Sequence, residues 1–186
     1  MARLPYVDPE SASPQTRKAL EALPPLNIFR MLANADTAFA PFLQFGGAVL
    51  QSLELDQVLR ELVILQVAKQ TNAEYEWVQH EAIARAVGAT DGQIEAIRTG
   101  DLGSDALSPD AQALLKLIEQ FVETERADDE VFAGAKEHFP PRQIVEAMLT
   151  AGEYLMLGRI MTHLDLDLDD AVGMQDLASA GRQLDE

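Results

Sequence analysis

Apolar residues recur at helical spacing along most of the chain, in short segments that proline or glycine separates. No segment alternates apolar and polar residues over the length of a β-strand, so the pattern predicts an all-α protein. Asp36, Asp56 and Asp128 each precede such a segment in the position of a helix N-cap. Thr90 and Gln93 have the spacing of a capping box. These signals together predict about six to nine helices.

The chain divides into three regions by pattern. We expect an N-terminal arm and a short helix over residues 1–26, a single helical domain over 27–170, and a C-terminal tail over 171–186. Pro24-Pro25 ends the first region, because a residue that precedes proline is disfavoured in the α conformation. The tail has no regular apolar pattern, which is typical of an oligomerisation arm or a partly disordered end.

The composition excludes several classes of function. The net charge is −17, which opposes binding to nucleic acid or to an anionic membrane surface. There is no cysteine, so disulfides, thiolate metal sites and thiol nucleophiles are all absent. No apolar run resembles a signal peptide or a membrane span, and we therefore expect a cytoplasmic protein.

Residues 60–80 contain the best candidates for chemistry. Glu61 lies within an apolar run, and Glu76 and His80 are four residues apart, on one face of a helix. A helix break at Asn72 would let Glu61 fold back towards that face. A carboxylate beside an imidazole is a proton-handling pair, and a carboxyl group in apolar surroundings has a raised pKa. The spacing also fits an ordinary surface contact between Glu76 and His80.

This window resembles the signature of the carboxymuconolactone decarboxylase/alkylhydroperoxidase D-like superfamily, which is a Glu followed twelve residues later by Cys-x-x-Cys-x-x-x-His. Glu61 and His80 match the ends of the signature, while Ala73 and Glu76 occupy the two Cys positions. A weaker similarity extends over residues 27–170. The resemblance implies a compact orthogonal helical bundle that assembles into homo-oligomers, such as dimers, trimers or hexamers, with sites near the subunit boundaries.

The missing cysteines decide between the branches of this superfamily. The redox branch reduces peroxides with the two thiols, and a chain without cysteine has no such activity. The resemblance to the decarboxylase branch implies a cofactor-free lyase or related proton-transfer enzyme that acts on a small carboxylated or lactone substrate. His80 is the expected acid/base, Glu76 would orient it, and Glu61 would be a second relay member or would position the substrate.

Two alternatives remain open at this point. One is a non-catalytic helical oligomer that keeps the fold and a structural Glu–His pair. The other is a relative that binds zinc, manganese or iron through Glu61, Glu76 and His80. The four-residue spacing differs from the Glu-x-x-His pattern of di-iron bundles, so we expect neither a metal nor a cofactor.

Four further residues are candidates for substrate binding. Tyr75 and Trp77 flank Glu76, where packing in the core is the alternative role. Arg159 and His163 are four residues apart near the end of the last helix, where a cation would hold a substrate carboxylate or complement the helix dipole.

Overall fold

The computed structural model describes residues 1–171, and within them the chain is helical and contains no strand. A short 3₁₀ helix precedes nine α-helices, which are α1 (Pro14–Glu21), α2 (Asn27–Leu32), α3 (Asp36–Gln51), α4 (Gln57–Thr71), α5 (Glu74–Val87), α6 (Asp91–Thr99), α7 (Pro109–Glu123), α8 (Asp129–His138) and α9 (Pro141–His163). The all-α prediction is confirmed. Residues 172–186, and with them most of the predicted tail, lie outside the described part.

Local signals in the sequence set most of the helix ends. The Asp56 carboxylate caps α4 by accepting hydrogen bonds from two backbone N–H groups of its first turn. Thr90 and Gln93 form the predicted capping box of α6. Asn72 ends α4 in the left-handed conformation, with φ of 53°, and Gly88 ends α5 with φ of 112°. The sharp turn at Asn72 folds α5 back against α4.

Two predicted caps have other roles. Asp36 is the first residue inside α3, and its carboxylate accepts hydrogen bonds from the hydroxyls of Ser13 and Thr16, which tie α1 to α3. Asp128 occupies the N-cap position of α8, but its carboxylate accepts a hydrogen bond from the Gln120 amide instead of a helix N–H. In both cases a partner on another element competes successfully with the local backbone.

Helix α4 is the centre of the molecule. It packs against α5, α6, α7 and α9, and its residues from 60 to 68 are all buried. Val63, Ile64 and Val67 belong to one apolar cluster with α7 and α9, and Leu62 and Leu65 belong to another with α6 and α7. Because α4 is enclosed on all sides, any polar side chain in its middle is carried into the interior.

The first three helices form a separate apolar cluster that covers one side of this core. Ala19, Leu20, Ala33, Phe39 and Leu43 are its buried members. The segment after α9 returns to the same side through backbone and side-chain hydrogen bonds with residues 2–27. None of the helices formed by residues 1–171 has the length and apolar character needed to cross a membrane.

Candidate functional site

The turn between α4 and α5 brings a buried carboxylate onto a buried imidazole. Glu61 Oε2 and His80 Nδ1 are 2.8 Å apart, although 19 residues separate them in the sequence. Glu61 is fully buried, and His80 is 6% exposed. A carboxylate only accepts hydrogen bonds, so this contact places the ring proton on Nδ1 and leaves Nε2 unprotonated in the neutral imidazole.

The contact to His80 differs from the pairing predicted for Glu76. The four-residue spacing predicts that Glu76 orients His80, but Glu61 makes this hydrogen bond. Side chains on a helix lean towards its N-terminus, and the Glu76 carboxyl lies near the start of α5. Its Oε2 is 3.1 Å from the point where a Cβ on Gly158 would stand, beside Thr71 and Ala73. Within the described residues, Glu76 therefore makes no hydrogen bond to the imidazole.

Arg60 holds the other side of the Glu61 carboxylate. Its Nε and Nη2 donate to Glu61 Oε1 at 3.1 and 2.9 Å, and its Nη1 donates to the backbone oxygen of Leu50 at 2.6 Å. The ring of Tyr154 packs edge-on against the imidazole, with the ring centroids 4.7 Å apart. The imidazole is thus held by a hydrogen bond from Nδ1 and by contact with an aromatic ring nearly perpendicular to it.

A pocket of about 130 Å³ lies beside this histidine, between α2, α3, α5 and α9. Its walls are mainly apolar and include the side chains of Leu26, Ile28, Phe29, Phe42, Leu157 and Met161. Four polar residues on α5 and α9 form its polar end, namely Glu76, Gln79, His80 and Glu153. Nε2 of His80 has no hydrogen-bond partner among residues 1–171, so it is the nitrogen available to a molecule in the pocket.

Two buried acids in the pocket have unpartnered oxygens. Within the described residues, both carboxyl oxygens of Glu76 and Oε2 of Glu153 lack a hydrogen bond. Burial raises the pKa of Glu76 well above its usual range, and the nearby charge of Glu153 raises it further. Burial also raises the pKa of Glu153, to about 7. The pocket therefore holds one carboxyl group, that of Glu153, that exchanges a proton near neutral pH, and a second, that of Glu76, whose protonated form burial favours.

Tyr75 is the one substrate-binding candidate that lines the pocket. Its hydroxyl donates to Asp169 Oδ2, beyond the end of α9. Burial, followed by this hydrogen bond, raises the pKa of Tyr75 far above its usual value, so the phenol stays protonated. Tyr75 thus supplies ring surface to the pocket, while its hydroxyl fixes the segment after α9.

The other three candidates lie outside the pocket. Trp77 packs on the opposite side of α5, where its Nε1 donates to Glu81 at 2.8 Å and the Arg98 guanidinium lies 4.6 Å from the ring centroid. Arg159 and His163 are exposed, and His163 Nδ1 contacts the backbone oxygen of Arg159. The pocket uses a different face of α9, because residues 153, 157 and 161 face inwards.

Sequence reasoning assigned no site role to Glu153 or Tyr154. The available signal for Glu153 is an acidic residue inside the apolar stretch 148–161, with no basic residue three or four positions away on either side. The chain holds no group of three or more His, Asp or Glu side chains placed to bind a metal ion, as far as residues 1–171 are concerned.

Comparison with protein families gives one match. Residues 36–120 match the carboxymuconolactone decarboxylase family. The matched segment contains Glu61, Glu76 and His80. No curated protein sequence matches the chain significantly.

Several solved structures share the fold at low sequence identity. A peroxidase-related protein with an alkylhydroperoxidase AhpD core, from Ralstonia eutropha JMP134, is 18% identical and has a TM-score of 0.78, over 97% of this chain and 96% of its own. A peroxidase-related protein from Silicibacter sp. TM1040 is 16% identical with a TM-score of 0.76, over 90% and 92%.

The debrominase Bmp8, in a variant bound to 2,3,4-tribromopyrrole, is 17% identical with a TM-score of 0.69, over 99% of this chain and 95% of its own. The orthogonal bundle implied by the resemblance is confirmed by these matches. Residues 36–120 are thus similar to the carboxymuconolactone decarboxylase family, and the chain shares the fold of AhpD-like proteins.

Proposed function

We propose that this protein is a cofactor-free proton-transfer enzyme that acts on a small lactone or ketone. The observation that carries the proposal is the 2.8 Å contact between Glu61 Oε2 and His80 Nδ1, made beside an apolar pocket that His80 lines. A structural His has no need of a pocket beside it. An acid/base His requires one, because the reacting carbon must reach Nε2.

The proposed step begins at Nε2 of His80. This nitrogen takes a proton from the carbon next to the substrate carbonyl, and the electron pair of that C–H bond moves into an enolate. Glu61 stabilises the imidazolium that forms, and Arg60 holds Glu61 in place. His80 then returns the proton to carbon. The exchange needs no thiol, metal or redox partner.

The charges in the pocket favour the lactone over the carboxylated substrate. Two acids line the polar end, and within residues 1–171 no lysine or arginine lines the pocket. An anionic substrate would meet an ionised Glu153 above pH 7, where the two charges repel each other. Decarboxylation uses the same histidine, since loss of CO₂ leaves an enolate that His80 protonates, but a carboxylate would enter only at lower pH.

The test is exchange of carbon-bound hydrogen with solvent. Small lactones and ketones are incubated with the protein in D₂O, and the loss of C–H signal is followed by proton NMR. We expect His80→Gln to slow the exchange by at least ~100-fold, as is usual when a general base is removed. His138→Gln is the matched control, because His138 is exposed at the end of α8.

The same assay separates the proposal from its rivals. Circular dichroism should show unchanged helix content in His80→Gln, and loss of folding would show that the histidine is structural. Equal exchange in the wild type and in His80→Gln, across lactones, ketones and β-keto acids, would contradict the proposal and favour a non-catalytic oligomer. A parallel assay of CO₂ release from β-keto acids at pH 6 and pH 8 tests the decarboxylase variant of the reaction.

A further inference from the structure

Glu76 is a buried carboxyl group that the proposed proton transfer does not use. It is 2% exposed, it lines the pocket, and neither oxygen has a hydrogen-bond partner among the described residues. Oε2 of Glu153, on the neighbouring helix, is unpartnered as well. Leaving a buried carboxyl group without a partner is unfavourable whether it is ionised or protonated, so the unpaired oxygens point to a group that arrives with a ligand.

Two glycines give the carboxyl groups the space that they occupy. A Cβ on Gly46 would stand 2.8 Å from Glu153 Oε1, and a Cβ on Gly158 would stand 3.1 Å from Glu76 Oε2. Each acid therefore lies directly against the backbone of the helix that faces it. Most of the remaining lining is apolar or aromatic, with Phe29 and Phe42 among its walls, and Gln51, Gln79 and His80 are further polar side chains on it.

We infer that this pocket binds a small apolar amine as its ammonium ion, which donates N–H groups to Glu76 and Glu153 while its hydrocarbon part contacts the apolar walls. A neutral donor would satisfy hydrogen bonds without balancing charge, and an anion would be repelled. An ammonium ion supplies both N–H donors and a positive charge, and that charge stabilises the ionised form of carboxyl groups that burial otherwise keeps protonated.

The other charged groups around the pocket are engaged with partners other than Glu76 and Glu153. Arg60 on α4 is engaged by Glu61 and by a backbone oxygen, and His80 on α5 contacts the same Glu61. Tyr75 and Tyr154 add phenols, and α2 and α3 bring no charged side chain to the pocket lining. Glu76 and Glu153 are thus the two groups on the lining that a cation would neutralise.

The inference uses the same pocket as the proposed function, but its test requires no turnover. Benzylamine, benzyl alcohol and benzoate share one ring and differ in charge, so calorimetric titration with each reports the preference of the site. At pH 8 and about 0.15 M salt, which screens the surface charge, we expect benzylamine to bind at least tenfold more tightly than benzyl alcohol, and benzoate to bind most weakly.

Isosteric variants test whether Glu76 and Glu153 cause the preference for the amine. Glu76→Gln and Glu153→Gln should each reduce the preference for benzylamine over benzyl alcohol by about tenfold, or about 1.4 kcal/mol. Glu130→Gln is the matched control, because Glu130 is an exposed acid on α8. It removes one negative charge from a chain of net charge −17 without touching the pocket, and the preference should stay unchanged.

Three results would overturn the inference. These are equal binding of the amine and the alcohol, a preference that survives in both Gln variants, and no binding of benzylamine to the folded wild type. If one of them is found while His80-dependent deuterium exchange persists, the amine site fails and the proton-transfer function stands. If benzylamine binds as expected and no exchange is detected, the amine site stands and the proton-transfer function fails.

Discussion

Helix α9 carries two buried acids that differ in every respect except burial. Glu146 is 7% exposed and Glu153 is 5% exposed, and they lie two turns apart. Glu146 Oε1 accepts from Arg142 Nε at 2.8 Å, and its Oε2 accepts from the backbone N–H of Leu55 at 2.8 Å. Glu153 Oε2 has no partner in the described part of the chain.

The pKa values of the two acids move in opposite directions. Burial would raise the pKa of Glu146, but hydrogen bonds from Arg142 and the backbone outweigh it and the pKa falls below its usual range. Burial acts without such opposition on Glu153 and raises its pKa to about 7. Burial therefore does not identify a functional acid. The absence of a partner beside a pocket is the more informative feature, because folding alone gives no reason for it.

The largest effect on stability should come from the partnered acid. Glu146→Ala leaves the N–H of Leu55 without its acceptor and removes the ion pair with Arg142, so we expect a loss of about 2–3 kcal/mol in the free energy of unfolding. Urea denaturation at pH 7 measures this loss. Glu153→Ala is the comparison, and a loss as large as that of Glu146→Ala would show that Glu153 is also structural.

The second prediction uses the opposite pKa shifts. Between its ordinary pKa of 4.5 and the folded value of about 7, Glu153 ionises in the unfolded chain before it ionises in the folded chain. The folded state therefore binds more protons in this window and loses stability as the pH rises. Glu153→Gln removes this loss and should be more stable than the wild type at pH 8 by about 1–3 kcal/mol.

Urea denaturation of the wild type and Glu153→Gln from pH 5 to pH 8 measures that difference. The free energies of unfolding of the two proteins should differ least at pH 5 and most at pH 8. Glu76, whose pKa is also raised, leaves part of the pH dependence in the variant. Glu146 has the opposite sign, since its lowered pKa contributes stability that is lost as the pH falls below 4.5. A pH-independent difference between the wild type and Glu153→Gln would show that the Glu153 pKa is not raised by folding.

Much of the bundle could be predicted from local signals. Asp56, Thr90 with Gln93, Asn72 and Gly88 mark helix ends through chemistry that lies within a few residues. The side-chain partners of Asp36 and Asp128 could not be predicted in this way, because they lie on other helices, α1 and α7. The backbone N–H groups that a carboxylate can cap locally are visible in the sequence, but its possible partners on other helices are not.

The candidate site also has features that local spacing predicts and features that depend on tertiary contacts. The spacing of Glu61, Glu76 and His80 selected one segment, in which the structure pairs Glu61 with His80 and places Glu76 and His80 on the lining of one pocket. The pairing of His80 with Glu61 instead of Glu76 depends on the angle at which α5 folds back, which no spacing records. Arg142 and Glu146 are four residues apart and could be paired from the sequence, whereas the isolation of Glu153 depends on which helix faces it.

The smallest expected effect is a difference in stability between alanine substitutions at two adjacent glycines of α3. A Cβ on Gly46 would stand 2.8 Å from Glu153 Oε1, whereas a Cβ on Gly47 would meet nothing within 4 Å. Alanine favours a helix over glycine by up to about 1 kcal/mol, so Gly47→Ala should stabilise the protein by roughly that amount.

In Gly46→Ala the same gain is offset, because the Glu153 carboxyl must move further into the apolar pocket. We expect the two variants to differ by about 1 kcal/mol at pH 8 in urea denaturation. The difference should narrow at pH 5, where Glu153 is protonated and less costly to displace. Equal stabilisation by both substitutions at pH 8 would mean that the Glu153 carboxyl lies free of Gly46, and that its isolation is not imposed by the helix that faces it.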